Sequence, residues 1–250
     1  MNFVEYGKEN KDVIILLHGG GLSWWNYRMV AQLLQAEFRV VLPILDGHSG
    51  SDADFTTIGV NASRIISFID ESFGGSVLLI GGLSLGGQIL LEILSQRKNI
   101  CRYAIIESAL VLPSEFMRSM IAPAFGSCYG LIKYRWFSKL QFDSYRLNPE
   151  LFEDYYRDTC GISKENMIAF LEANAVYSVK KSLADSNAKS YIFVGEKEDV
   201  RMKKSAALIK ESLNESLLEV IPGGYHGQFS INRAEDYVDR ILAITSDSKK

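Results

Sequence analysis

Six short runs of β-favouring apolar residues alternate with longer stretches of helical period, and this rhythm constrains the fold more than any other feature of the chain. Val13–Leu17 contains no polar side chain and leads within two residues into Gly19, Gly20 and Gly21. A strand that is apolar on both faces belongs inside a covered parallel sheet. Residues 39–42 form the next run, stopped by Pro43. Residues 77–80 follow Gly74 and Gly75 and end at Gly81 and Gly82. Residues 103–106, 191–194 and 217–221 complete the set. Amphipathic stretches lie between them, at about 25–36, 58–73, 86–97, 202–213 and 234–244. This alternation predicts an α/β fold, a doubly wound and mostly parallel sheet with helices on both faces. Phe3–Tyr6 is available as an opening strand. The 250 residues are enough for one large domain of this kind with a sizeable core.

One region breaks the rhythm. Residues 113–179 show no clear strand, yet they are crowded with aromatics, among them Phe125, Trp136, Tyr145, Tyr155, Phe170 and Tyr177. The segment reads as several short helices inserted into a core made of residues 1–112 and 180–250. Its aromatics suit two tasks at once, filling the insert's own core and lining an apolar pocket.

Charge and cysteine content narrow the function classes. The formal net charge is −3, so no basic surplus draws the chain to nucleic acid or an anionic membrane. Lys203 and Lys204 form a short basic pair on an expected helix and read as a solvated face. The first residues are too polar for a secretory signal, and no apolar run is long enough to span a bilayer. Cys101, Cys128 and Cys160 are odd in number and widely spaced, which fits no disulfide framework and no metal motif. A reducing cytoplasm is the expected location. No feature of the pattern specifies an oligomeric state.

The chemistry concentrates in three places. Gly82-Leu83-Ser84-Leu85-Gly86 follows the 77–80 run directly and opens the helical pattern behind it. A serine on a sharp strand-to-helix turn projects its hydroxyl above the sheet, and flanking glycines let the two backbones approach. The helix N-terminus also supplies amide donors and a dipole suited to a developing oxyanion. Leu16-Leu17-His18-Gly19-Gly20-Gly21 places glycine amides at the end of another strand, open to a ligand. Only three histidines are present, His18, His48 and His226. His226 lies in the loop Ile221-Pro222-Gly223-Gly224-Tyr225-His226-Gly227 after the last expected strand. A serine hydroxyl needs an adjacent base at neutral pH, and a neutral imidazole supplies one.

With these motifs the chain resembles the α/β-hydrolase superfamily, in its subgroup of small, capped, carboxylesterase-like serine hydrolases, from about residue 12 to 244. The resemblance implies Ser84 as nucleophile and His226 as general base. It implies the amides of Gly20 and Leu85 as the oxyanion hole and a structural role for His18. Asp46-Gly47-His48-Ser49-Gly50-Ser51 looks like a degraded form of a structural turn of the family. The acid stays open among three residues. The 191–194 run is followed by Gly195-Glu196-Lys197-Glu198-Asp199, and the family slot three residues after the glycine holds Glu198. Asp199 comes one later, and Glu107 ends the 103–106 run.

The expected activity is hydrolysis of a small apolar ester through an acyl-enzyme, with no metal or other cofactor. Thioester, amide and C–C hydrolysis, or a lyase reaction, remain open on the same motifs, and so does a non-catalytic ligand-binding protein. A halide-releasing enzyme is disfavoured, because that branch places Asp at the nucleophile position. Fold resemblance alone licenses none of these.

Overall fold

Successive side chains of the Val13–Leu17 strand enter two different cores, and this explains why the run has no polar position. Ile14 and Leu16 pack in one apolar cluster, with Leu34, Val40, Tyr237 and Ile241. Ile15 and Leu17 pack in the other, with Ile65, Ile69, Ile89 and Ile209. Alternating side chains point to opposite faces of a sheet, so both faces here are covered by helices.

The structure is a computed structural model and describes residues 1–246. The last four residues of the expected 180–250 core segment therefore lie outside the described residues. Seven strands form one sheet: β1 (Phe3–Tyr6), β2 (Val13–Leu17), β3 (Arg39–Pro43), β4 (Val77–Leu83), β5 (Cys101–Glu107), β6 (Lys189–Gly195) and β7 (Ser216–Ile221). Their spatial order is β1-β3-β2-β4-β5-β6-β7. Only β1 runs antiparallel, against β3, and every other pairing is parallel. The helices are α1 (Arg28–Leu34), α2 (Ile58–Phe73), α3 (Leu85–Gln96), α4 (Glu115–Cys128), α5 (Arg135–Ser144), α6 (Phe152–Gly161), α7 (Lys164–Val176), α8 (Val200–Ser212), α9 (Gln228–Asn232) and α10 (Ala234–Ser246). Among the described residues no helix is long and apolar enough to cross a membrane.

Strand order places the site. From β2 the chain moves outward to β3, then returns to the other side of β2 as β4. The loops leaving β2 and β4 therefore diverge at a topological switch point, where the carboxyl ends of the strands leave a crevice. Gly19–Gly21 and Ser84 lie in those two loops.

Two expectations are corrected. The fourth strand does not stop at Ile80. It continues through Gly81 and Gly82 to Leu83, with Gly81 opposite Leu16 and Ile105, and Gly82 opposite Leu17 and Ile106. A Cβ on Gly81 would stand 2.7 Å from Leu16 Cδ2, so close strand packing places glycine where propensity disfavours a strand. The helical stretch expected at 25–36 divides into a 3-10 turn, Trp24–Tyr27, and α1. Trp25 is fully buried there, and its indole N–H donates to Asp158 Oδ2 on α6 at 2.8 Å. A bond across 133 residues, invisible to local periodicity, ties down this turn.

Helices α4–α7 all lie between β5 and β6. Besides the Trp25 bond, Asn166 Oδ1 accepts the Phe55 amide at 2.8 Å. Gln88 Oε1 also accepts from Asn174 Nδ2 at 3.0 Å. Phe142, Phe152, Phe170 and Tyr177 are buried, whereas Phe116, Tyr134 and Trp136 are exposed.

Candidate active site

Ser84 occupies a backbone conformation that few non-glycine residues adopt, with φ 54° and ψ −111°. Its neighbours show why. A Cβ on Gly82 would lie 2.3 Å from Gly86 O, and one on Gly86 would lie 2.1 Å from Leu17 O. Both glycines are needed because β4, α3 and β2 meet backbone to backbone at this corner. Two hydrogen bonds pin the turn: Ser84 N–H donates to Glu107 O at 2.8 Å, and Gln88 N–H donates to Ser84 O at 3.0 Å. Leu85 opens α3, so its amide has no acceptor within the helix.

The glycine loop after β2 stands beside this turn. A Cβ on Gly20 would meet Leu85 Cβ at 3.5 Å and Phe170 Cε2 at 3.4 Å. Two buried histidines shape the loop. His18 Nε2 accepts from Leu45 N–H at 3.1 Å and its Nδ1–H donates to Gly19 O at 2.9 Å. His48 Nε2 accepts from Gly21 N–H at 3.0 Å, its Nδ1–H donates to Asp46 O at 3.1 Å, and its ring stacks on Phe170. Burial lowers both imidazoles, His18 well below its ordinary range and His48 to about 4. Both rings therefore remain neutral near pH 7, each accepting a hydrogen bond from a backbone amide of a neighbouring loop.

The three carboxylates separate clearly. Glu198 is buried, and its Oε2 accepts from His226 Nδ1 at 2.8 Å. Its Oε1 accepts from Ser108 Oγ and from Gly195 N–H, both at 2.7 Å. Burial raises its carboxyl, but the bonds from His226, Gly195 and Ser108 outweigh burial and hold it below its ordinary value. Asp199 is the N-cap of α8 and accepts from Met202 N–H at 2.8 Å. Glu107 accepts from Ser230 N–H at 3.3 Å, and burial pushes its carboxyl up to about 7. Of the three, Glu198 is the one bonded to the His226 ring. That bond makes Nδ1 the donor nitrogen and leaves Nε2 with its lone pair.

A cavity of about 440 Å³ gathers these groups. Ser84, Gly20, Glu198 and His226 all line it, and so does Asp199. Phe125 from α4 and Met167, Phe170 and Leu171 from α7 contribute to its apolar wall. The volume suits a small molecule, and the wall combines apolar side chains with polar and charged ones.

Sequence reasoning missed Ser108, which sits at φ 53° directly after β5. The signal was available: Glu107 ends the strand beside β4 and Ser108 follows it, at the same carboxyl edge as Ser84. It also missed two cations on the cavity wall, Arg146 and Lys197.

Comparison with known proteins agrees with the architecture. The model of the alpha/beta hydrolase family matches residues 14–240. Among solved structures, an esterase from Exiguobacterium antarcticum superposes with a TM-score of 0.82 at 18% identity, covering 98% of this chain and 94% of that one. A thermophilic esterase from Thermogutta terrifontis gives 0.80 at 17% identity, covering 98% and 93%. An enol-lactonase from Burkholderia xenovorans gives 0.80 at 14% identity, covering 98% and 96%. At such identities the structures show a shared fold. No curated protein matches the sequence. The matched family model spans nearly the whole chain, and this protein belongs to the alpha/beta hydrolase family.

Proposed function

We propose that the protein is a serine hydrolase that cleaves a carboxylic ester of a small molecule through an acyl-enzyme. One observation carries the reading. The strained Ser84 lines the same cavity as His226, and Nδ1 of that imidazole is tied to the buried Glu198 carboxylate.

In this reading His226 Nε2 takes the proton of Ser84 Oγ as the hydroxyl attacks the acyl carbon. Glu198 holds the imidazole in the Nδ1–H tautomer and stabilises the cation that forms. The amides of Gly20 and Leu85 receive the developing oxyanion, with the α3 N-terminus adding a favourable dipole. The imidazolium then returns the proton to the leaving alcohol. Water, activated by the same ring, frees the acid and restores Ser84. Ser108 and Gly195 act through Glu198, aiming its second oxygen away from the ring. Residues 113–179 serve as the cap that supplies the apolar wall. Asp199 and Glu107 take no part as the triad acid.

The test is a panel of p-nitrophenyl esters of varied acyl length, run on the wild type and on Ser84→Ala. The reading expects turnover by the wild type and its loss by several orders of magnitude in the variant. Turnover retained in Ser84→Ala would remove the serine mechanism. Ligand retention without turnover would favour a binding protein on the same scaffold.

A further inference from the structure

The cavity wall is not apolar throughout. Phe170 lies against the glycine loop and the His48 ring. Arg146 lies instead against the histidine loop, its guanidinium carbon 4.2 Å from the centroid of the Tyr225 ring, one residue before His226. Lys197, one residue before Glu198, also lines the cavity.

Arg146 is held there by its backbone. It is one of three non-glycine residues with positive φ among the described residues, at 56°. The other two are Ser84 and Ser108. Its carbonyl accepts from Gln228 Nε2 and Asn232 Nδ2, both at 2.9 Å, and Gln228 Oε1 in turn accepts from Tyr225 N–H at 3.1 Å. The end of α5 is thus clamped to the segment that carries His226. Holding arginine in this backbone region is unfavourable, and such strain is kept where the surrounding structure requires the geometry.

The charge at Arg146 has no carboxylate partner among the described residues. Asp143 pairs with Lys139. Glu198 is committed to His226, and Asp199 caps α8. Lys197 has Glu196 as its acidic neighbour, and that carboxyl is lowered first by the Gly223 amide and then by Lys197. Most arginines elsewhere on the surface are paired, among them Arg28, Arg97, Arg135 and Arg157. An unpaired guanidinium on a cavity wall, already oriented by an aromatic ring, is a ready carboxylate receptor. It offers a planar fork matched to two carboxylate oxygens, and its stacking reduces the ordering cost of binding. A second cation on the same wall raises the local concentration of anions.

We infer that the substrate is an acidic ester, one that carries a free carboxylate bound by Arg146 with Lys197 nearby, while its apolar part packs against Phe170, Met167 and Leu171. This deepens the hydrolase reading and rests on it for the word substrate. It also departs from the uncharged apolar ester expected from the aromatic content of residues 113–179. The carboxylate-binding subsite itself can be tested without turnover.

Ser84→Ala protein is titrated calorimetrically with monomethyl glutarate and with uncharged dimethyl glutarate. The monoester is expected to bind at least about tenfold more tightly, with the difference largely lost in about 0.5 M salt. Adding Arg146→Gln should abolish the preference, and Arg146→Lys should restore part of it. In parallel, kcat/KM is measured for mono-p-nitrophenyl glutarate and p-nitrophenyl pentanoate in a protein with Ser84 intact. The acidic-to-neutral ratio is expected to fall about tenfold in Arg146→Gln, mainly through KM. Equal binding of the two methyl esters, or an acidic-to-neutral ratio unchanged by both Arg146 variants, overturns the inference while leaving the hydrolase reading intact. Arg146-dependent monoester binding without Ser84-dependent turnover of any ester supports the subsite and sinks the hydrolase reading.

Discussion

Replacing Glu198 by Gln is the most informative single change in the site. The side chain accepts three hydrogen bonds, from His226 Nδ1 at 2.8 Å, from Ser108 Oγ at 2.7 Å and from Gly195 N–H at 2.7 Å. A carboxylate accepts all three, whereas an amide has one oxygen and one donor group. If the amide nitrogen faces Gly195 it meets an N–H, and that bond is lost. If it faces His226 it favours the opposite tautomer, with the proton on the nitrogen that should act as base. Either way the negative charge that stabilises the imidazolium is gone. A charge-assisted bond is worth about 1.5–3 kcal/mol, and tautomer loss adds to it, so the barrier should rise by about 3–5 kcal/mol. That is a loss of kcat/KM on the order of hundreds- to several-thousand-fold. The assay is p-nitrophenyl butyrate hydrolysis, with a thermal melt to verify folding. Asp199→Asn should change the rate by less than about threefold, because Asn caps a helix as well as Asp does. Glu198→Gln retaining activity within about threefold of wild type, or Asp199→Asn proving equally crippling, would refute the assignment.

Three further outcomes follow from the packing. Gly86→Ala sets a Cβ 2.1 Å from Leu17 O, a backbone atom that cannot move aside alone, so urea unfolding should show a loss of about 3 kcal/mol or more; a variant within about 1 kcal/mol of wild type would show that the corner is looser than this. Glu107, raised from an ordinary 4.5 to about 7 by burial, binds its proton more tightly when folded, so its stabilising effect is full below about pH 4.5 and is lost as pH rises through about 7. Relative to Glu107→Gln, the wild type should therefore lose about 3 kcal/mol of unfolding free energy across that window, and a pH-independent difference would contradict the burial argument. Asp158→Ala strands the buried Trp25 indole N–H, at a cost of about 1–3 kcal/mol, and should lower Tm and alter tryptophan fluorescence; an unchanged Tm would mean that this tie between α6 and the 3-10 turn carries no stability.

The parts of the site legible in the sequence are those set by short-range steric rules. The turn at Ser84 was readable because two glycines flank it at the spacing a strand-to-helix corner requires, and a Cβ on either would crowd backbone atoms. Glu198 was favoured over Asp199 by its position three residues after Gly195. The structure gives the physical reason: the turn after β6 brings the third side chain back onto the Gly195 amide, and the next residue must cap α8. Extension of β4 through Gly81 and Gly82 was not legible, since glycine disfavours strands and only the approach of Leu16 calls for it. The turn at Trp24–Tyr27 and the placement of Arg146 on the cavity wall depend on partners more than 70 residues away, Asp158 for Trp25 and Tyr225 for Arg146. Aromatic content suggested an apolar pocket, and which side chains reach a cavity is decided by long-range packing that no local pattern encodes.

If Ser84 is an activated nucleophile, it reacts covalently with electrophilic phosphorus. The direct measurement is intact-protein mass spectrometry after treatment with a fluorophosphonate, followed by peptide mapping. A single adduct on Ser84 is expected, formed quickly in the wild type and much more slowly in His226→Ala and Glu198→Gln, because Oγ attacks phosphorus only when its proton is taken. Folded protein that forms no adduct, or an adduct mapping to another residue, contradicts it.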